Sequence, residues 1–510
     1  MIRSLGAALL LVSCGGRMLP GAAGVPDGGG AQLAGGAGAA QGPAGAMLLD
    51  QDALVISAVS ADEQHVLVAH RDPPTDVELV TPGAPARTLI SNSPNAHASF
   101  SPDGQSIAFT QSDQVGPYTL SVVRSDGSGA RVLAAKSSFS SFAGRWLYYD
   151  DETNPTISLY RLLPPDGAPQ LLASFDPPHA SASGSLSAAP SPDGESIVYC
   201  HTPAGADCFL LSPRTTTPLR LPAPLQLWSP DGSWALLQNC ALVDLSGALR
   251  DLCELQPFAS VTAVSADGAM LATLATGGVW PPTQSAVAIR LYSVTTATTT
   301  QVPAPGPFDG SVYRPSFFLK FSPDASRLVA FLGESGFSVP VAGGQWTRIV
   351  SDSPPTPHRG LVEFSGDSRI VGAQSASQGF VVSVDGAPPR IVGAQGEFFR
   401  ASFEPAGGLG KAIFFGPYDD RATLANADGS GDRMELPRVG ACNWVERTAL
   451  CLRWEPGKPN QVVVLSDEGQ QFSVTTHDTS LWPSTAQLTR HRLFYIAHEG
   501  GLYVADHRTP

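Results

Sequence analysis

Phe100-Ser101-Pro102-Asp103-Gly104-Gln105-Ser106-Ile107-Ala108-Phe109 reads as the end of one strand, a tight turn and the start of a second strand. Proline presets φ at the first central turn position, aspartate bonds its own nearby backbone, and glycine supplies the positive φ that closes the turn. The alternation in Ile107-Ala108-Phe109 suits a half-buried strand. Close copies carry Asp193-Gly194, Asp231-Gly232, Asp267-Gly268 and Asp324, and degraded copies carry Asp62, Asp367 and Phe403-Glu404-Pro405-Ala406. Three further units, at 142–149, 444–452 and 482–496, are marked mainly by spacing and by the apolar strand that follows, which brings the count to eleven.

A second glycine turn follows the first within most units, at Asp126-Gly127, Asp166-Gly167, Ser246-Gly247, Gly343-Gly344, Asp385-Gly386 and Asp428-Gly429. Each unit therefore reads as four strands, A to D, and a four-stranded unit repeated at roughly 40 to 45 residues marks a β-propeller blade. The expected fold class is all-β, a propeller of about eleven four-stranded blades. Single rings usually hold about four to eight blades, and Pro303-Ala304-Pro305-Gly306-Pro307 sits in the longest gap between markers. Two tandem rings are therefore expected, about six blades over 47–305 and about five over 306–510. The last unit lacks a strand D, which Met47-Leu48-Leu49 or the 307–314 segment would supply.

The Phe-Ser-Pro-Asp-Gly turn and its apolar strand resemble the repeat of TolB-like propellers, a relative of the Trp-Asp repeat, over nearly the whole chain after residue 46. The resemblance implies the fold and no activity, because the repeat residues are structural. The periplasmic Tol-system protein has a small α/β domain before its propeller, where this chain has a Gly/Ala-rich stretch, so Tol-complex membership is not implied.

At the N-terminus, Arg3 precedes an apolar run from Leu5 to Val12, too short to span a bilayer and suited to a signal-peptide core. Leu11-Val12-Ser13-Cys14 resembles the bacterial lipoprotein signal, which implies cleavage after residue 13 and a diacylglycerol on Cys14. Gly15 follows where an inner-membrane retention aspartate would stand, so in an envelope with two membranes the resemblance implies outer-membrane sorting, facing the periplasm or the cell surface. Residues 14–46, Gly and Ala with a few Pro, are expected to be a flexible tether.

The six cysteines after Cys14 fall into sequence-close pairs, Cys200 with Cys208, Cys240 with Cys253 and Cys442 with Cys451. The repeat places each pair on neighbouring strands of one hairpin, so three disulfides are expected in an oxidising compartment. No Cys-x-x-Cys or Cys-x-x-His spacing exists to favour a metal. A net charge of −14 with four lysines argues against nucleic acid, whose binding rests on basic side chains neutralising phosphates.

Catalytic motifs fail. No Gly-x-Ser-x-Gly occurs, and His498-Glu499 has no second histidine three residues on. His65 with His70, and the terminal His491, His498 and His507, read as surface or strand-end residues rather than ligands. The recurring Asp62, Asp103, Asp193, Asp231, Asp267, Asp324 and Asp367 are each explained by turn chemistry, without calcium. Phe100, Trp228, Phe321, Phe364, Phe403, Trp444 and Trp482 are expected to fill the wedges between blades. Ligand contact is expected from the variable loops 70–76, 150–155, 280–285 and 308–315. No catalytic, cofactor or metal residue is assigned. The expected role is a lipid-anchored envelope module that binds or scaffolds a protein, peptide or glycan; the alternative is an envelope hydrolase or lyase working at a propeller funnel.

Replacing Cys14 tests the anchor: Cys14→Ser is expected to move the protein from the membrane pellet to the soluble fraction. Mass spectrometry of the wild-type N-terminal peptide should show a diacylglycerol-modified Cys14, and an unmodified residue would refute the lipid.

Overall fold

A computed structural model describes the chain from Met47 to Asp506, with interruptions of which the longest are 176–185, 253–261, 276–287, 304–316, 351–362, 392–399 and 476–485. Among the described residues every regular element is a β-strand, and the strands form eleven four-stranded sheets. In chain order the first five sheets occupy 55–90, 97–137, 140–175, 186–221 and 225–251. The next five occupy 262–303, 317–350, 363–391, 400–437 and 439–475, and the eleventh joins 486–506 to 47–50. Each of the first ten is an antiparallel meander in which strands adjacent in sequence are hydrogen-bonded neighbours. The architecture is a multi-bladed β-propeller.

The burial of the strands follows from the stacking of sheets. A sheet with a neighbour on each face has two apolar faces in its central strands, so these read as unbroken hydrophobic runs. Trp234–Leu237 is buried at every position, and Val66–Ala69 at all but the last. The fourth strands alternate or lie open, as in Arg87–Ile90 and Gln170–Phe175, because one edge meets no partner strand.

The core is a chain of wedges between successive sheets. Leu67, Val77 and Ile90 of the first sheet pack on Ala98, Ile107 and Phe109 of the second, and the pattern repeats along the molecule. It also crosses the junction at which the sequence divides the chain into two rings. Ala272, Leu291 and Val302 of the sixth sheet share a cluster with Leu319, Leu328 and Phe337 of the seventh. Within the long gap between Asp267 and Asp324, Met270–Ala275, Ala288–Ser293 and Thr298–Pro303 are strands of the sixth sheet, while 276–287 and 304–316 lie outside the described residues. The sheets on either side of the 305/306 division thus share one buried cluster, while 304–316 themselves lie outside the described residues.

The two ends of the chain meet in the eleventh sheet. Met47–Asp50 pairs antiparallel with Leu502–Asp506, with Met47 opposite Val504 and Leu48 opposite Tyr503. This is the strand that the last unit lacks in the sequence. The completed sheet packs on the first: Phe494, Ile496, Leu502 and Val504 join Ala53, Val66, Val68 and Val80 in one buried cluster. Arg492 adds a hydrogen bond from its guanidinium to the carbonyl of Glu63 at 2.8 Å.

Two of the expected disulfides lie where the repeat puts them. Cys200 and Cys208 are bonded and stand directly opposite on adjacent strands, as do Cys442 and Cys451. Cys240 is also disulfide-bonded, while Cys253 lies outside the described residues.

Adjacent turns touch closely enough to demand glycine in places. A Cβ on Gly194, at φ +72°, would lie 1.9 Å from the carbonyl oxygen of Ala143 in the preceding sheet; on Gly83, at φ +81°, it would meet nothing within 4 Å. Gly194→Ala is expected to cost about 2 to 5 kcal/mol, from left-handed strain plus overpacking, against about 1 to 2 kcal/mol for Gly83→Ala. Equal shifts in the chemical denaturation curves of the two variants would contradict the contact.

Candidate functional site

The turn between the first two strands is built around a serine. Ser101 donates its hydroxyl to Asp103 Oδ1 at 2.6 Å and accepts from the Ser106 backbone N–H at 2.9 Å, while Asp103 Oδ1 accepts from the Gln105 N–H at 3.0 Å. Backbone bonds between Ser101 and Ser106 (2.8 Å) and from Gly104 to Ser101 (2.8 Å) close the loop. The same set recurs at Ser60/Asp62, Ser191/Asp193, Ser265/Asp267, Ser322/Asp324 and Ser365/Asp367. At Ser229/Asp231 the serine accepts from Trp234 N–H and the carboxylate from Ser233. The turn serines are buried, at 6% exposure or less. Glycine proves dispensable: Glu63, Ala325 and Ser368 stand at the position of Gly104 with φ of 59°, 56° and 64°. The signal that carries the repeat is Ser-x-Asp, with proline and glycine as accessories.

These bonds occupy the turn carboxylates. At Asp324 burial works to raise the carboxyl pKa, but hydrogen bonds from Ser322 and Ser326, with Ser368 nearby, override it and hold the group at about 2. At Asp267 the hydroxyl of Ser265 is the leading cause of a lowered pKa. Asp62 and Asp231 are lowered too, with burial opposing and hydrogen bonds prevailing. Neighbouring turns are in contact: a Cβ on Gly232 would lie 3.2 Å from Asp193 Oδ1 and one on Gly268 2.9 Å from Asp231 Oδ1. Even so, no turn aspartate belongs to the one group of ligand atoms close enough to share a cation among the described residues.

The aromatic stripe packs in the wedges. Phe100, Trp228, Phe321, Phe364, Phe403 and Trp444 each belong to an inter-sheet cluster, and Trp482 lies outside the described residues. The polar tips of the tryptophans stitch sheets together. Trp228 Nε1 donates to the Ala189 carbonyl at 2.9 Å and Trp444 Nε1 to that of Ser402 at 2.8 Å, each in the preceding sheet.

The candidate loops 280–285 and 308–315 lie outside the described residues, as do 71–75 and 154–155. Asp150, at the start of another, is fully buried in a strand, where it accepts from both Ser137 and Ser138 side chains and from the Ser138 N–H. It is a strut. His65 and His70 do not act together. His65 Nδ1 bonds Thr81 Oγ1 at 2.9 Å, whereas His70 Nε2 lies 3.5 Å from Asp50 Oδ2 and 3.4 Å from Glu78 Oε2. His491, His498 and His507 lie outside the described residues. The Asp50–His70–Glu78 group escapes the sequence because its members come from opposite ends of the sheet order.

Exposed large apolar side chains gather on edge strands. Val132 (63% exposed), Leu171 (55%) and Leu249 (48%) lie on the fourth strands of the second, third and fifth sheets. Beside Val132, Arg131 reaches the third sheet, donating to the carbonyls of Pro165 (3.1 Å) and Gly167 (2.9 Å). Arg124 pairs with Asp166 in the same place. The second sheet is thus tied to the turn that leads into the fourth strand of the third, and each of the two fourth strands carries an exposed apolar residue.

No family model matches the chain, and no curated protein matches it. Solved structures that resemble it include one of a eukaryotic initiation factor, at 13% identity over 80% of this chain and 96% of that one, with a TM-score of 0.42. Others are the tricorn protease (10% identity, TM-score 0.30) and one from a study of two prolyl endopeptidases (15%, 0.31). This chain covers 90% and 73% of its own length in those two alignments but spans only 61% and 55% of theirs. At these identities and TM-scores the likeness assigns no activity to this chain.

A carboxylate held low in the folded state, against 3.8 as its ordinary value, stabilises above that value and loses its contribution as pH falls toward its folded pKa of about 2. The stability gap between wild type and Asp324→Ala is therefore expected to be full at pH 5 and to narrow between about pH 4 and pH 2. A gap that stays constant in denaturant titrations across that range would contradict the hydrogen-bonded carboxylate.

Proposed function

We propose that this chain is a non-catalytic binding or scaffolding propeller of the cell envelope, held at the outer membrane by a lipid on Cys14 and docking a protein, peptide or glycan partner. The observation that carries it is the exposure of Val132 and Leu171 on the fourth, edge strands of two neighbouring sheets. An open edge offers unpaired backbone groups, and an apolar side chain beside it offers a specificity contact, the combination by which an extended segment adds to a sheet. This favours a protein or peptide partner over a glycan. The turn carboxylates and the buried Asp150 support the same view, since their hydrogen bonds commit them to the scaffold. Fold by itself licenses no chemistry.

Cross-linking in the native envelope is expected to recover a stoichiometric partner with wild type. The Val132→Glu/Leu171→Glu double variant should lose it by at least about tenfold while keeping its β-sheet circular dichroism. Retention by the double variant would move the docking face elsewhere. Turnover of a glycan or peptide by the purified protein, with no retained partner, would overturn the binding role.

A further inference from the structure

We propose that Asp50, His70 and Glu78 form a binding site for a divalent transition ion of the zinc class, which clasps the seam where the eleventh sheet meets the first. Asp50 ends the strand Met47–Asp50, which completes the eleventh sheet, whereas His70 follows Val66–Ala69 and Glu78 lies in Val77–Val80 of the first. One ligand therefore comes from each side of the closure, with a third beside the second.

The geometry fits. One imidazole nitrogen and one oxygen from each carboxylate all lie within 4.8 Å of one another, and the nitrogen stands 3.5 Å and 3.4 Å from the two oxygens. Ligands about 2.1 Å from a tetrahedral ion stand about 3.4 Å apart, so two of the three edges already have the required length. The groups are largely withdrawn from water, with side-chain exposures of 20% for His70, 10% for Asp50 and 22% for Glu78. His70 Nε2 is fully buried and makes no hydrogen bond, while facing both carboxylates.

Supporting contacts hold the ligands in place. Thr88 donates to Glu78 Oε1 at 2.9 Å, leaving Oε2 turned toward His70, and the His70 backbone N–H bonds the Asp76 carbonyl at 3.0 Å. Such outer partners orient metal ligands. Two carboxylates and a neutral imidazole offset a dipositive charge, and the nitrogen favours zinc-class ions over calcium, which takes six to eight oxygens. Three protein ligands leave a fourth position for water. The rival arrangement is a plain ion pair, with a protonated His70 bridging two carboxylates and no metal.

The test uses the full-length, untagged protein after chelation and dialysis, titrated with zinc by calorimetry. Wild type is expected to bind one equivalent with a micromolar or tighter Kd. His70→Ala and Asp50→Asn should each weaken binding at least about 50-fold while keeping native circular dichroism. With free zinc about 100-fold above Kd, hydrogen exchange by local opening of 47–50 and 502–506 should slow about 100-fold in wild type, if the site exists only when the seam is closed. Exchange in the fourth sheet should not change. Absence of one-equivalent binding by wild type would overturn the clasp in favour of the ion pair. Unchanged binding by both variants would mean zinc sits elsewhere, and unchanged exchange at the seam on zinc binding would equally overturn it.

Discussion

One hydroxyl, repeated, sets the geometry of this molecule. The turn serine donates to an aspartate two residues on and accepts from the backbone five residues on, so one side chain fixes both the tightness of the turn and the register of the strands it joins. Register matters because a slip of one residue turns every side chain of a strand to the opposite face. The serine is buried, so leaving its hydroxyl unsatisfied costs about 1 to 3 kcal/mol, and the aspartate removes that cost. Where Glu63, Ala325 or Ser368 replaces glycine, the chain accepts left-handed backbone rather than give up the bond.

With register set, the sheets stack as wedges, and large rings and branched residues from both sides fill each gap. Buried polar tips find partners across the same gaps. Tyr148 Oη donates to the Gly194 carbonyl at 2.7 Å and Trp234 Nε1 to that of Gly268 at 2.8 Å, so the aromatic ring that fills one wedge also grips the turn of the following sheet. Turn chemistry and core packing thus act on the same atoms.

Closure is the point at which this regular scheme needs something extra. A stack of sheets ends in two open faces, and the strand Met47–Asp50 removes them by completing the last sheet, which then packs on the first. The pairing joins segments some 450 residues apart, so its formation carries the largest loop-closure cost in the chain, although that cost grows only with the logarithm of length. Arg492 to Glu63, and the cluster of Asp50, His70 and Glu78, are among the polar contacts gathered at this seam.

The architecture was legible in one dimension because its determinants are local. Ser-x-Asp turns, glycine at second turns such as Gly127 and Gly386, and apolar runs such as Trp234–Leu237 act within a few residues, so their spacing reveals the strands and sheets. The pairing of Cys200 with Cys208 and of Cys442 with Cys451 was legible for the same reason, each being a neighbour across one hairpin. The shared cluster of the sixth and seventh sheets was not, since a long gap between turn markers carries no sign of whether the sheets on either side of it pack together. Nor was the meeting of Asp50 with His70 and Glu78, or the tie of Arg131 to the Pro165 and Gly167 carbonyls of the next sheet. Those groupings arise only when separate sheets are brought face to face, and that long-range contact has no spacing in the chain to announce it.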